Sequence, residues 1–598
     1  MFAEILNSRP METLLSGAAA WAVPPARDPA WNCVAPAYRQ EISRLADAYR
    51  TTPYPMRLAS RFLDFVRTGS RSADEESYFL RRRKLCVSAL SCCMGNDADL
   101  DAVVDGIVCI CEETAWVISA HNVNPIPGAP KPAEYPLPDP QKPYIDLFTA
   151  QTGMILALVR QMLGKQLDAV SPVLNRRIGD EIARRILTPF MENDDFWWMG
   201  FRRKDLCNWT PWIVSNVLVC ACLSALEKQP LAALLDRACR MLDRWLDVVP
   251  RDGGCDEGAG YWNMAGGALL DCLETLEQLT GGALTLWDNE KIRNILSFPR
   301  KAELDGGWFV NFADCDARPF LSGERLQFAG EKLGDPSLTA MGCRLRGTLE
   351  DQLSDVPHLT RALRLLFHPA GKAVEEKEKP DVWLPDLQVR VVHRGPWTLC
   401  CKGGHNGESH NHNDVGSFML YLEGRPEIVD AGNMTYTAKT FSDQRYTLWN
   451  VRSAYHNVPL IGDREQLPGA AFAARQVRCE QDGLSLDMAA AYGDVAKTLR
   501  RRLTLTAEGL TVEDCVELSN PRPVAWVFLF RYRPECRDGA VEDGSVRLTF
   551  PAGMRAEAEE IPVTDPRMAR NFPGSLWRVL VRGEAQKAVF TVRRKEHA

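Results

Sequence analysis

The sequence predicts an α+β chain of two parts, a helical N-terminal domain of packed hairpins and a C-terminal antiparallel β-sandwich. Three observations predict it. Apolar residues recur at helical spacing from about residue 35 to 365, a charged Pro-containing stretch interrupts them, and short alternating strand patterns follow. The 598 residues, 45% hydrophobic and 25% charged, suffice for more than one buried core.

In order along the chain, the apolar run Leu14–Val23 comes first. Glu4 and Glu12 precede it and Pro24 and Pro25 follow it, a poor match to a secretory leader. Helices are then expected over 146–163, 178–187, 212–226, 231–248 and 266–279, each with i, i+3, i+4 apolar spacing between Gly, Pro, Asn or Asp loops. Successive amphipathic helices joined by short loops hide their apolar stripes as antiparallel hairpins. Residues 1–367 therefore read as the helical domain. The segment HPAGKAVEEKEKPDVWLPD reads as a linker over 368–386. Residues 387–598 carry the strand patterns, at 389–393, 397–402, 417–422, 473–480, 485–491, 497–506, 510–518, 525–532, 545–550, 577–581 and 588–592. Many short strands with Gly, Asp, Asn and Pro turns imply a sandwich.

Composition excludes several function classes. A net charge of −7 argues against nucleic-acid binding, and no run of apolar residues is long enough for a membrane span. The 19 cysteines include adjacent and alternating pairs such as Cys92/Cys93 and Cys109/Cys111, poor geometry for disulfides, and no C-x-x-C pair. A reducing cytoplasm is the expected compartment.

The nine histidines are distributed unevenly, with His405, His410, His412 and His456 in one stretch. Gly403, Gly404 and Gly407 make its first part a loop in GGHNGESHNHNDVGSF. In an extended chain His410 and His412 would share a face. Asp430 ends the next strand pattern and His456 starts another. Two imidazoles and a carboxylate suit a zinc-like ion with a further position for water or ligand, and a metal-free polar loop is the alternative. Asp414 is read as a carboxylate orienting a loop histidine.

Two further segments carry chemistry. NDDFWWMGFRRKDLCNWTPW interleaves aromatic residues with Arg202, Arg203 and Lys204 around Asn208. Rings such as Trp209 pack on sugar faces, while guanidinium forks pair with carboxylate or sulfate. GGCDEGAGYWNMAGG sets Asp256, Glu257 and Tyr261 in a Gly-rich loop before a helix.

Together CNWTPWIVSN, DEGAGYW, SHNHNDVGSF, IVDAG and YHNVPLIGD, in this order, resemble the heparinase II/III-like polysaccharide lyases. The resemblance implies an α/α toroid, an incomplete barrel of helical hairpins, ahead of the β-sandwich. It also implies β-elimination at a uronic acid of a glycosaminoglycan-type glycan, with a heparin or heparan sulfate-like substrate as the first expectation. Asn208 then matches the position that neutralises the uronate carboxylate, and Tyr261 and His410 match the general base and acid pair. His412, Asp430 and His456 match a structural Zn2+ site that orders the His410 loop. His405, Arg202, Arg203, Trp209, Glu257 and Tyr436 are the expected substrate contacts. An anionic oligosaccharide or polysaccharide is the expected partner, with neither nucleic acid nor membrane, and a homodimer is the oligomeric expectation. Some members place histidine or an acidic residue where this chain has Asn208, which leaves the uronate epimer and sulfation open. Two other readings stand beside this one. One is a toroid glycoside hydrolase pairing Asp194 or Asp195 with Asp256 or Glu257; the other is a non-catalytic sugar-binding protein.

Overall fold

A computed structural model describes residues 1–123, 134–372, 379–437, 439–440, 442–584 and 586–595. The chain divides into two units. The first is Met1–Val249, Asn263–Leu296 and Leu321–Val374; the second is Pro250–Trp262, Ser297–Phe320 and Glu375–Ala598.

In the first unit six helices are buried on most sides: α1 (Ser72–Cys93), α2 (Leu147–Val170), α3 (Trp209–Cys222), α4 (Gly266–Leu279), α5 (Gly323–Leu333) and α6 (Leu359–Phe367). Every residue from Leu147 to Val159 in α2 and from Thr210 to Ala221 in α3 is buried. A helix apolar all round must be surrounded. Each of these helices packs on the next, and α6 returns to α2, so α2 to α6 close an inner ring with α1 packed against α2. Helices with a single apolar stripe cover it: Pro36–Arg50 on α1, Pro172–Ile182 on α2, Lys228–Val248 on α3 and Pro336–Arg344 on α5. These are the hairpins of an α/α toroid. The helix expected over 178–187 instead passes from Pro172–Ile182 through a π-helical turn, Ala183–Leu187, because Pro189 lacks the N–H that would continue the regular ladder.

In the second unit all strands pair antiparallel. One sheet runs Val382–Leu384, Val389–Arg394, Trp397–Lys402, Phe418–Leu422, Arg425–Ile428, Val524–Phe530, Ser575–Gly583, Arg555–Pro562, with Pro459–Ile461 also on Val524–Phe530. The other runs Glu535–Arg537, Ala540–Glu542, Val546–Thr549, Lys587–Arg594, Gly509–Leu518, Ala496–Thr506, Gly483–Asp487, Arg475–Glu480. Phe418, Leu420, Trp526 and Phe528 of the first sheet share one core with Leu503, Val512 and Phe590 of the second. The rings of Phe528 and Phe590 lie 5.1 Å apart. Burying each such side chain contributes roughly 1.5–3 kcal/mol.

Strand Val382–Leu384 falls within the stretch read as linker, where it pairs with Val389–Arg394; residues 373–378 of that stretch lie outside the described residues. Pro250–Trp262 and Ser297–Phe320, read from sequence as part of the helical domain, pack in the second unit. That placement brings the Tyr261 loop and the histidine loop into one body.

Candidate active site and metal centre

Three chain segments build the site, and glycine lets them meet. The Tyr261 loop approaches the 311–316 segment at Gly258, where a Cβ would lie 2.4 Å from the Cys315 Cβ, and Gly258 has φ +86°. The 430–433 segment meets the same residue from another direction, since a Cβ on Gly432 would lie 2.5 Å from the Cys315 carbonyl oxygen. Only glycine tolerates both the left-handed φ and that approach.

The histidine loop is held from beneath. Lys402, at the end of its strand, donates to Glu408 and to Asp414, both at 2.9 Å, and so clasps the loop on either side of His410. Asp414 is therefore the partner of a buried lysine rather than of a histidine, a correction to the sequence reading. Arg501, from the opposite sheet, donates to the carbonyls of Gly416 at 2.9 Å and Asn457 at 2.6 Å. Its guanidinium is neutralised by Asp514 at 2.7 Å. One fully buried side chain thus fixes the residues that follow the His410 loop and His456.

The loop is not extended at His410. That residue adopts φ +54°, as Ala313 adopts +61° in the facing segment. Non-glycine residues in this region cost energy and cluster at functional sites. His410 and His412 nevertheless meet a common neighbour, Asp314, which sequence reasoning missed. His410 Nδ1 donates to Asp314 Oδ2 at 2.9 Å, and His412 Nε2 donates to Asp314 Oδ1 at 3.1 Å. Arg445 pairs with the same carboxylate at 3.0 Å and donates to the His410 carbonyl at 2.7 Å. Burial alone would raise Asp314, but the hydrogen bonds from His410 and His412 and the charge of Arg445 hold it far below the usual carboxylate range.

Tyr261 joins this group through Tyr436. The two hydroxyls are 2.5 Å apart, and the Tyr436 hydroxyl lies 3.1 Å from His410 Nδ1. A hydrogen-bonded chain therefore runs Tyr261–Tyr436–His410–Asp314. Burial, then the neighbouring Tyr436 and Glu257, push Tyr261 well above its ordinary value of 10. Its resting form is the phenol. Burial lowers His410, but the bond to Asp314 and the charges of Glu257 and Asp314 outweigh it and raise the imidazole above 6.5. Glu257 is buried with Oε2 3.9 Å from His410 Nε2, and burial lifts its carboxyl to about 7. Arg567, pinned by Asp316 at 3.0 Å, lies 5.2 Å from the Tyr436 ring centre and favours the phenolate of both tyrosines. His405 is held within its own loop, where Nδ1 accepts from the Gly407 N–H at 3.1 Å.

Next to this chain, His412, Asp430 and His456 are all buried with their ligand atoms within 4.8 Å of one another. His456 Nδ1 lies 2.8 Å from Asp430 Oδ2. His412 Nδ1 and His456 Nε2 are buried with no hydrogen-bond partner. Two orphaned imidazole nitrogens beside a carboxylate are what a nitrogen- and oxygen-liganded cation needs, so the donor set fits a zinc-like ion.

The remaining predicted residues lie in the helical unit. Asn208 is buried at the start of α3. Trp209 packs against Trp197 at 5.1 Å and against His121 at 4.6 Å. Asp146 holds His121 Nδ1 at 2.9 Å. Arg202 pairs with Asp195 at 3.0 Å, and Arg203 pairs with Asp205 while lying over the Trp197 ring. Two members of the basic cluster expected here, Arg202 and Arg203, are thus matched by carboxylates.

The comparisons with known proteins bear on both units. Residues 376–589 match the family described as heparinase II/III-like, C-terminal. The histidine loop and the His412–Asp430–His456 group lie within that match, so the resemblance drawn from SHNHNDVGSF, IVDAG and YHNVPLIGD holds. No curated protein matches the chain by sequence. Among solved structures, a heparinase III aligns with TM-score 0.62 at 12% identity, over 96% of this chain and 94% of that one. A mutant heparan sulfate lyase from Pedobacter heparinus gives 0.60 at 11% identity, covering 94% and 88%. The chondroitin AC lyase of Streptomyces coelicolor A3, in complex with chondroitin sulphate, gives 0.51 at 12% identity, covering 100% and 83%. These likenesses establish the fold, toroid followed by antiparallel sandwich.

Proposed function

We propose that the chain is a polysaccharide lyase that cleaves uronic-acid-containing glycans of the glycosaminoglycan type, with heparan sulfate-like chains as the first substrate to test. The observation that carries this reading is the chain Tyr261–Tyr436–His410, two hydroxyls and an imidazole linked at 2.5 and 3.1 Å and anchored on one carboxylate.

Elimination across C4–C5 of a uronate requires three things. The C5 proton is weakly acidic because the neighbouring carboxylate is already negative, so that carboxylate must be neutralised. A base must then take the proton, and an acid must protonate the O4 leaving oxygen. The resemblance assigns the first task to the amide of Asn208. Tyr261, held as a phenol by burial, suits the acid. Neutral His410 suits the base through Nε2, because its Nδ1 hydrogen faces Asp314. The C5–H bond gives its electrons to a C4=C5 double bond, the C4–O4 bond breaks, and O4 leaves with the Tyr261 proton. Tyr261 regains a proton and His410 Nε2 loses one to solvent after product leaves, which restores the starting pair. An opposite uronate epimer reverses the two roles.

Bound zinc would supply a fixed charge that orders the loop through His412, Asp430 and His456. None of the 19 cysteines is in a disulfide, which favours a reducing cytoplasm and action on imported oligosaccharides. Among the described residues no helix is long and apolar enough to cross a membrane.

The hydrolase reading finds less support. Asp194 and Asp195 are exposed and engaged by Arg237 at 2.5 Å and Arg202 at 3.0 Å, and Asp256 accepts from the Ser409 N–H at 3.0 Å. Mass spectrometry of a defined oligosaccharide separates the readings. A lyase gives fragments whose masses sum to that of the substrate; fragments heavier by one water would establish hydrolysis instead.

A further inference from the structure

A neutral imidazole has one N–H and one lone pair, and whichever nitrogen faces an ionised carboxylate carries the hydrogen. Asp314 faces two imidazoles at once. Its Oδ2 accepts from His410 Nδ1 at 2.9 Å, and its Oδ1 accepts from His412 Nε2 at 3.1 Å. The hydrogens are thereby fixed on those two nitrogens. The lone pairs are fixed on the opposite sides. His410 Nε2 is 3.9 Å from the Glu257 carboxyl, too far for a hydrogen bond to compete with Asp314 at 2.9 Å, and His412 Nδ1 faces the triad with no other partner.

The carboxylate cannot swing to serve one ring alone. Arg445 holds Oδ2 at 3.0 Å, and the Asp314 carbonyl accepts from the Asn433 side chain at 2.7 Å. Three residues earlier, Asn311 donates to the Asp430 carbonyl at 3.0 Å. The 311–314 segment is thus pinned at both ends to the 430–433 segment that carries the triad's carboxylate.

We propose that Asp314 is a positioning residue that sets the tautomers of His410 and His412 together, so that metal affinity at His412–Asp430–His456 and proton transfer at His410 depend on one carboxylate. The proposal rests on the lyase reading for the role of His410, while its consequence for the metal does not. Carboxylates behind a ligating histidine commonly contribute about 10–100-fold in metal affinity. Here the same group also faces a histidine that binds no metal.

The decisive variant is Asp314→Ala, which removes the acceptor from both rings at once. In competition with a chromophoric chelator, it should bind zinc about 10–100-fold more weakly than the wild type. At saturating zinc its kcat should stay at least about 100-fold down with KM little changed, as expected when a general base loses the carboxylate that sets its tautomer. Zinc affinity equal to wild type would overturn the proposal. So would recovery of kcat at saturating zinc, because Asp314 would then act through the metal alone. Should the variant not fold, nitrogen-15 spectra of the histidine rings in the wild-type zinc-loaded protein decide. They should show a hydrogen on Nδ1 of His410 and on Nε2 of His412, and the opposite tautomer at either ring refutes the proposal. A wild type without elimination activity on any uronate glycan would defeat the lyase reading, and the zinc titration and the ring spectra would still judge Asp314.

Discussion

Tyr261 and His410 are 149 positions apart in sequence, yet one hydroxyl, that of Tyr436, lies within hydrogen-bond distance of both. Replacing Tyr261 with Phe removes the proton donor while keeping the ring and its burial. Turnover is expected to fall about 10²–10⁴-fold, with an unchanged circular dichroism spectrum. A different residue contributes to the response of stability to pH. Glu427 is buried on the sandwich, and burial followed by the charge of Asp543 lifts its carboxyl from 4.5 to about 8. Its folded value lies above its unfolded value, so its contribution is complete below about 4.5 and is lost as pH rises through about 8. The melting temperature of Glu427→Gln should therefore decline less than that of wild type between pH 5 and pH 9; equal declines would show that Glu427 does not titrate there. At this scale the grouping of His412, Asp430 and His456 was legible because two imidazoles and a carboxylate stood at the ends of adjacent strand patterns, and the structure brings the three together. Asp314 carried no such mark. It lies 96 residues from His410, in FADCDARP, and gains its role only when that segment packs beside the histidine loop.

The histidine loop depends on the elements that brace it. Lys402 is buried between Glu408 and Asp414, and replacing it with Met would leave the buried Asp414 and the half-buried Glu408 without their cation. Breaking such a pair costs about 3–5 kcal/mol, which urea unfolding followed by intrinsic fluorescence would register. A loss below about 1 kcal/mol would mean that the clasp is solvated. Strand Arg555–Pro562 shows why parts of the fold escape sequence reading. It pairs with Ser575–Gly583 but is mostly exposed, and Glu557 and Glu559 meet Arg582 and Arg578 across the pair. Charge pairing replaces the apolar alternation by which strands are recognised. The pattern over 485–491 misleads in the other direction. The strand ends at Asp487, whose side chain accepts from the N–H groups of Ala489 and Leu499 and turns the chain into the 3-10 segment Ala489–Tyr492. The inner helices α2 and α3 were located easily, but burial on every side erased the stripe that would have shown which neighbour each one faces.

Across the molecule, the two units carry different parts of the chemistry that the resemblance assigns. Tyr261, His410, Tyr436, Glu257 and the triad belong to the second unit; Asn208, Trp209, Arg202 and Arg203 belong to the first. Zinc should accordingly stabilise the second unit, by about 2.7 kcal/mol at a hundredfold excess over Kd. Hydrogen exchange should show the added protection in 403–461 and none in α1 to α6; a uniform gain would argue against binding at the triad. The domain order was legible because periodicity changes from helical to alternating along the chain. The transfer of 250–262 and 297–320 to the second unit was not, because contacts between distant segments leave no trace in local pattern. The central claim is elimination at a uronate through Tyr261 and His410. Ultraviolet absorbance during digestion of heparan, heparin, chondroitin, hyaluronan and alginate oligosaccharides tests it most directly. A rise on at least one of them with the wild type, absent with Tyr261→Phe and with His410→Ala, is the expected result. Chain cleavage without new absorbance, or an undiminished rise in either variant, would contradict it.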